Sequence, residues 1–237
     1  DFLEENEEYV ICFTNGSVIY SNSKKKLHLI YNNVSSNNQY KNFKIPIKST
    51  SIFELANGNY IHTPGVTFKN IFKDIELPDF LSKVTIGDWP LYMSLTKFGK
   101  IFFLNENTFC YRVHTGGVYS EKSTLDKYKM TLGQFEPMIA SGYFDSKELD
   151  LIKQYCMRSF LVYLKYCKIQ EDLNFANKFI ETIKQIDHFF YEQICHKGNK
   201  ISGIKINNGC LRFENSFDKY FKKINFKLKK LKQKIIN

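Results

Sequence analysis

The sequence predicts an α/β fold, with a mixed sheet and helices over residues 1–120 and a helical region over residues 121–237. Short runs of strand-forming residues between turn residues recur in the first part. From about residue 121 the apolar period becomes helical, because Leu125, Leu132 and Ile139 fall on one helix face. The chain therefore divides into a sheet-containing part and a helical appendage.

The strand predictions rest on β-branched and aromatic runs that end at turn residues. They are, in chain order, YVICF, SVIY, KKLHLIY, the extended YIHTPGVTFKN, and two strands within KIFFLNENTFCYRVH on either side of the turn NEN. The Asn/Ser-rich YNNVSSNNQYKN predicts a loop, since turn-forming residues dominate it.

The helix predictions rest on end signals and apolar period. In the first part, residues 1–6 close a helix, STSIFELANGN runs from a Ser/Thr start to a stop at Gly58, and LPDFLSK is a short helix. GDWPLYMSLTKFGK is a helix opened by Asp88 and ended at Gly99. The remaining predictions are helices within LDLIKQYCMRSFLVYLKYC and FANKFIETIKQIDHFFYEQI, a loop at GNKISGIKINNG, and a final helix over residues 213–236.

The positive charge is concentrated at the C-terminal end. Residues 218–237 contain eight lysines and one aspartate, and so supply +7 of the formal charge of +10. The rest of the chain shows no basic face interleaved with aromatic residues, which argues against a nucleic-acid partner. Apolar residues recur every three or four positions against the lysines, so residues 213–236 predict a basic amphipathic helix. Such a helix either lies on an anionic membrane surface or packs on the domain with a solvated lysine face.

Two motifs, GDWPL at residues 87–91 and YRVHTGG at residues 111–117, carry a family resemblance. With the opening DFLEENEEYVICF and the segment GNYIHTPGVTFKN, they resemble in order and rough spacing the second half of bacterial family 2 glycosyltransferases. The resemblance covers about residues 1–120. It implies a partial GT-A fold, the fold of nucleotide-diphospho-sugar transferases, and specifically its acceptor-side half.

The resemblance implies an inverting transfer of a sugar from a nucleotide-diphosphate donor to a hydroxyl of a glycan or lipid-linked acceptor. Such transfers build cell-surface polysaccharide, lipopolysaccharide or other glycoconjugates. The attacking hydroxyl must lose its proton, and a nearby carboxylate can take it. Asp88 matches the family's catalytic base. From spacing alone, an Asp at this place is more simply a helix N-cap, and the resemblance reverses that preference.

Five further residues are candidates for binding. Trp89 either stacks on the acceptor sugar or packs in the core. His62 and Thr63 match the family's segment near the acceptor cleft, although an ordinary strand edge is the simpler account. His114 matches a position where the family contacts the donor diphosphate or its divalent metal, with a hydrogen-bonded loop histidine as the alternative. Arg112, two residues earlier, is a candidate for the diphosphate or a neighbouring carboxylate.

The resemblance also implies partners outside this sequence. Family members hold Mn²⁺ or Mg²⁺ on the donor diphosphate through a DxD motif in a preceding nucleotide-binding half, and this sequence contains no DxD. The expectation is therefore a fragment, inactive without that half. The alternative is a noncatalytic GT-A remnant that serves as a membrane-surface binding or scaffold protein. The expected location is cytoplasmic, peripheral at the inner face of the plasma membrane.

Overall fold

The computed structural model describes residues 2–20, 28–29, 49–114, 116–117, 119, 121–170, 173–200, 204–207 and 210–213. Within these ranges the chain combines helices, a five-stranded mixed sheet and a separate two-stranded sheet. The predicted α/β class with a mixed sheet is confirmed. The chain divides into two compact units, residues 1–156 and 157–237. The boundary expected at residue 120 stays a prediction.

The elements fall in the following order. The strands of the five-stranded sheet are β1 (Tyr9–Tyr20), β2 (His28–Leu29), β3 (Ser49–Thr50), β4 (Val66–Phe68) and β5 (Lys100–Val113). The helices along the same stretch and just beyond it are α1 (Phe2–Glu5), α2 (Ile52–Leu55), α3 (Asp88–Leu95), α4 (Thr124–Leu132), α5 (Phe135–Ala140) and α6 (Ser146–Gln170). Short 3-10 helices occupy Thr63–Gly65, Ile71–Lys73 and Asp79–Ser82. The last described elements are α7 (Asn174–Ile186), α8 (His188–Gly198), β6 (Ile204–Asn207) and β7 (Cys210–Phe213).

The sheet is built around β1 and β5, which pair in parallel from Tyr9 opposite Lys100 to Tyr20 opposite Val113. Strands β2 and β4 pair antiparallel with β1, and β3 pairs antiparallel with β5. The predicted YVICF and SVIY are parts of the single strand β1. The region resembling the GT-A half therefore contains a mixed sheet with one long parallel pair.

The predicted turn at NEN is wrong, because β5 runs through it without a break. The register of β1 against β5 shifts on both sides of Asn15, which leaves extra residues of β5 beside it. Asn15 Nδ2 donates to Asn105 Oδ1 at 2.9 Å, and Asn107 Nδ2 donates to Ser17 Oγ at 2.9 Å. The polar side chains that suggested a turn thus join the two strands across an irregularity in their pairing.

Capping residues predicted the helix starts well. Helix α2 begins at a capping box formed by Ser51 and Glu54, and Gly58 beyond its end has φ 136°, which favours glycine. Helix α3 begins at Asp88 as predicted but ends at Leu95, earlier than Gly99. The predicted helix in LPDFLSK is a 3-10 helix.

The second unit is not helical throughout, so the predicted loop at GNKISGIKINNG is wrong in part. Ile204 and Ile206 alternate with Lys205 in β6, and both isoleucines are at most 5% exposed. A Cβ at Gly198 would come within 2.5 Å of Ile206 Cδ1, so the glycine lets this strand pack closely on α8. Residue 213 ends β7, and residues 214–236 of the predicted basic helix lie outside the described residues. Most of the predicted strand KKLHLIY and the whole of the predicted loop YNNVSSNNQYKN also lie outside them.

Close packing at two glycines fastens the 3-10 helix at residues 63–65 to the central strand pair. A Cβ on Gly65 would lie 2.3 Å from Phe109 Cε1 and 2.8 Å from Thr14 Oγ1, and a Cβ on Gly16 would lie 2.3 Å from Phe109 Cζ. The Phe109 ring therefore occupies the space that side chains at both glycines would need. This contact holds the 3-10 helix against strands β1 and β5.

We predict that Gly65→Ala lowers the free energy of unfolding by about 1–3 kcal/mol, because the added methyl group overpacks the contact with Phe109. Urea denaturation measures this. Gly87→Ala is the control, since no atom lies within 4 Å of its added Cβ. Phe109→Leu should reduce the cost of Gly65→Ala. Equal stability of the Gly65 and Gly87 variants would contradict the packing account.

Candidate active site

Asp88 lies at the first position of α3, directly after the N-cap residue Gly87. Its side chain is half-buried, and both carboxylate oxygens accept hydrogen bonds. Oδ1 accepts from the backbone N–H of Trp89 at 2.7 Å. Oδ2 accepts from Asn59 Nδ2 at 3.0 Å and from Thr63 Oγ1 at 3.4 Å. The carboxylate is thus oriented by three donors at the end of a helix and is not sealed in the core.

The partners of Asp88 come from the segment that follows α2. Asn59 directly follows Gly58, and its Oδ1 accepts the backbone N–H of Ile61 at 3.0 Å. Thr63 opens the 3-10 helix at residues 63–65 and is exposed. The structure therefore brings Thr63, a predicted acceptor-binding residue, to the predicted base. Sequence reasoning missed Asn59, although it lies within the segment GNYIHTPG that carried the resemblance.

The charge of Asp88 affects two tyrosines, Tyr92 and Tyr119. Tyr92 lies one turn after Asp88 on α3 and is 1% exposed. Burial raises the pKa of Tyr92 to about 12, the neighbouring Thr63 hydroxyl lowers it, and the charge of Asp88 adds to the rise. The pKa of Tyr119 is also raised, first by burial and then by the charges of Tyr128, Asp88 and Tyr111. Both phenols therefore keep their protons at neutral pH.

His62 packs between the 3-10 helix and the end of β5. Its ring centroid lies 5.7 Å from that of Tyr111 and 6.0 Å from that of Phe109. Burial lowers the pKa of His62 to about 4, so the imidazole is neutral at physiological pH. If His62 has the predicted acceptor role, it acts as a neutral, partly buried ring. Such a ring can donate or accept hydrogen bonds but carries no charge.

Trp89 belongs to the core. Its side chain is 1% exposed, and its Nε1 donates to the backbone oxygen of Leu55 at 2.9 Å. Edge contacts join its ring to Phe135 and Tyr155, with centroids 5.7 and 5.2 Å away. Of the two alternatives the sequence left open, the structure shows core packing, and the ring has no free face for a sugar. Trp89 instead anchors the start of α3, which holds Asp88 in place.

Arg112 and His114 lie at the end of β5, and both are exposed. Because side chains alternate along a strand, Arg112 projects from the opposite face of the sheet to Tyr111. His114 follows the last strand residue, next to Gly116, whose φ is 93° and whose N–H donates to the Glu121 carboxylate. The structure brings Thr63 to Asp88, packs His62 against Tyr111, and projects Arg112 from the sheet face opposite to Tyr111. The donor-side roles of Arg112 and His114 stay predictions.

A cavity of about 770 Å³ lies elsewhere in the first unit. Asp88 does not line it. The lining includes the carboxylates of Glu76, Asp79 and Glu136, and Gly133, which lies against Thr85 three residues before Asp88. Part of the cavity lining thus comes from residues shortly before Asp88 in sequence, but the cavity and the surroundings of Asp88 are different sites.

Across the described part of the chain, no three or more His, Cys, Asp or Glu side chains group closely enough to hold a metal ion. In the same residues, no helix combines the length and the apolar character needed to cross a bilayer. The divalent metal expected with the donor stays a prediction.

Comparisons with protein-family models, with curated proteins and with solved structures each find no match.

We predict that Trp89→Phe lowers the free energy of unfolding by about 2–3 kcal/mol, because it removes the donor to the buried Leu55 carbonyl and leaves a small void. Chemical denaturation measures the change. The control is Phe53→Leu on α2, since Phe53 is 57% exposed. A Trp89→Phe variant as stable as this control would show that the indole is not a core anchor.

We predict that His62 makes folding of the first unit less stable in acid. Its folded pKa of about 4 lies below the ordinary 6.5, so the unfolded state binds more protons between these values. The stabilisation is complete above about pH 6.5 and is lost as pH falls toward 4, by up to about 3 kcal/mol.

Urea unfolding at pH 7.5 and 4.5 tests this dependence. His62→Gln should lose less stability between the two pH values than the wild type does. His114→Gln, which removes an exposed imidazole of the same unit, should keep the wild-type dependence. Parallel pH dependence in the wild type and His62→Gln would disprove the assignment to His62.

Proposed function

We propose that this chain is the acceptor-side half of an inverting glycosyltransferase in which Asp88 is the catalytic base. The observation that carries the proposal is the placement of Asp88. Its carboxylate is partly exposed at the start of α3 and is oriented by Asn59, Thr63 and the backbone of Trp89. A general base needs both properties, because it must reach a substrate hydroxyl and must hold a fixed direction.

The proposed reaction is a single in-line displacement. The acceptor hydroxyl oxygen attacks the anomeric carbon of the donor sugar while the bond from that carbon to the diphosphate oxygen breaks. The hydroxyl proton passes to Asp88, and the nucleoside diphosphate leaves with the bonding electron pair.

The surroundings of Asp88 suit a carbohydrate acceptor. Tyr119 is 42% exposed, and the charges of Asp88 and Tyr111 both contribute to its raised pKa, after burial and the charge of Tyr128. Tyr111 and the neutral His62, whose ring centroids lie 5.7 Å apart, form a second aromatic surface with polar edges. Aromatic side chains with polar tips match a sugar, which presents both C–H faces and hydroxyl groups.

The donor side of the reaction falls largely to the proposed nucleotide-binding half. The divalent metal that would neutralise the departing diphosphate belongs there, with His114 as the proposed contact from this chain. No step assigned to the residues around Asp88 depends on that metal. The proposed acceptor is a glycan or lipid-linked sugar, which the basic segment 218–237 would help bring near an anionic membrane surface.

We predict that Asp88→Asn lowers sugar transfer by about 100-fold or more with donor binding unchanged, because the amide cannot accept the proton. The complete gene product is assayed for release of nucleoside diphosphate from a panel of UDP-, GDP- and dTDP-sugars, with membrane glycolipid extract as acceptor. Donor binding is followed by calorimetry on the same panel.

The matched control is Asp145→Asn. Asp145 is also a carboxylate at a helix start, where its Oδ1 accepts the backbone N–H groups of Lys147 and Glu148 at 2.8 and 2.9 Å. This variant should lose some stability and keep turnover. Wild-type turnover in Asp88→Asn would end the base assignment.

A further inference from the structure

We infer that the cavity of about 770 Å³ in the first unit is a docking groove for residues 214–237 of a second copy of this chain. We call it the acidic groove, and the residues that define it are Glu76, Leu77, Asp79, Glu136, Pro137 and Tyr143. The inference does not depend on the proposed function, and the two can fail separately.

The acidic groove offers apolar surface to a partner. Leu77 is 52% exposed, and Ile75, two residues earlier in the chain, is 42% exposed. The side of the groove at Tyr143 is held in place. The Tyr143 ring centroid lies 5.7 Å from that of the buried Phe80, and the Tyr143 backbone oxygen accepts Lys97 Nζ at 2.8 Å. Because these contacts are already formed, an apolar segment can bind there at little cost in ordering.

The charges of the acidic groove favour a cationic partner. Glu76, Asp79 and Glu136 are exposed, and among the described lining residues Lys83 is the single basic one. Within the described residues, none of the three carboxylates forms an ion pair or a side-chain hydrogen bond. Each carboxylate is therefore available to a positive charge on a partner.

The three carboxylates are too dispersed for a metal ion. Among the described residues, no three His, Cys, Asp or Glu side chains group closely enough to hold one. A partner that carries several separate positive charges beside an apolar stripe matches such a groove better. A basic amphipathic segment has this pattern.

The chain itself contains such a segment. Residues 218–237 have eight lysines and one aspartate. The apolar residues of the segment recur every three or four positions and are Phe217, Phe221, Ile224, Leu228, Leu231 and Ile235. Lys227, Lys230 and Lys234 each directly precede one of the last three. In the helix that this sequence predicts, lysines therefore border the apolar stripe, so one segment supplies both apolar contacts for Leu77 and cations for the carboxylates.

Two copies can exchange their segments, since each copy carries one groove and one segment. A reciprocal exchange closes at a dimer, whereas one-way docking continues into longer assemblies. The lysines involved are the ones proposed above to meet an anionic membrane. The groove and the membrane therefore compete for the same segment.

Sedimentation velocity on the full chain tests the docking. The wild type should self-associate as its concentration rises, and added salt should weaken the association because salt screens exposed charges. The groove variant Glu76→Gln/Asp79→Asn/Glu136→Gln should associate about tenfold more weakly. The segment variant Lys227→Gln/Lys230→Gln/Lys234→Gln should show a loss of the same size.

The matched control is Glu7→Gln/Glu106→Gln/Asp150→Asn. These three residues are exposed carboxylates of the same unit that do not line the groove, so the control changes the net charge as the groove variant does. It should associate as strongly as the wild type.

A mixture of the groove variant and the segment variant shows which parts meet. The groove variant keeps an intact segment and the segment variant keeps an intact groove, so one contact can form between them. With the groove variant fluorescently labelled, sedimentation should reveal complexes of one copy of each variant at concentrations where either variant alone is monomeric.

Three results would overturn the inference. They are a wild type that stays monomeric at every concentration, a control that associates as weakly as the groove variant, and a mixture that associates no better than its two components. None of these results bears on the turnover of Asp88→Asn, so the proposed function is tested separately.

Discussion

The parallel pairing of β1 with β5 is the constraint on which the rest of the first unit depends. Parallel neighbours cannot be joined by a tight turn, so the chain must travel back to the starting edge before β5 can begin. Asn59, Thr63, Asp88 and Tyr92 all lie on this return, between Tyr20 and Lys100. The candidate base is therefore not on a strand of the sheet. It lies in the connection between β1 and β5, and the sheet fixes the two ends of that connection.

Local signals predicted local structure, and failed where distant contacts decide. The Ser51–Glu54 capping box and Asp88 at a helix start could be read directly, since the interacting atoms are at most three residues apart. The turn predicted at NEN fails because Asn105 and Asn107 bond to β1, about 90 residues earlier in the chain. The segment around Ile204 and Ile206 was predicted as a loop because Gly and Asn residues flank it, and the alternation of apolar and polar residues is too short to indicate a strand.

The same contrast between local signals and distant contacts applies to the candidate site. The resemblance pointed to Asp88, and a helix start could be predicted for it, but its partners could not. Asn59 is 29 residues away in sequence, and only the folded connection brings its amide to the carboxylate. Trp89 could not be assigned from its type, because indoles serve both cores and sugar sites. Its burial and its bond to Leu55 make that decision in the folded chain.

The ring of Phe109, seated over Gly16 and Gly65, has a consequence for how this protein can change. It packs a sheet residue against the backbone two positions after Thr63, so the sheet and the segment that supports the candidate base share one small volume. Sequence drift at either glycine would move the hydroxyl that faces Asp88 even if every polar residue were retained. Selection for chemistry at Asp88 would then act on an apolar contact that touches no substrate.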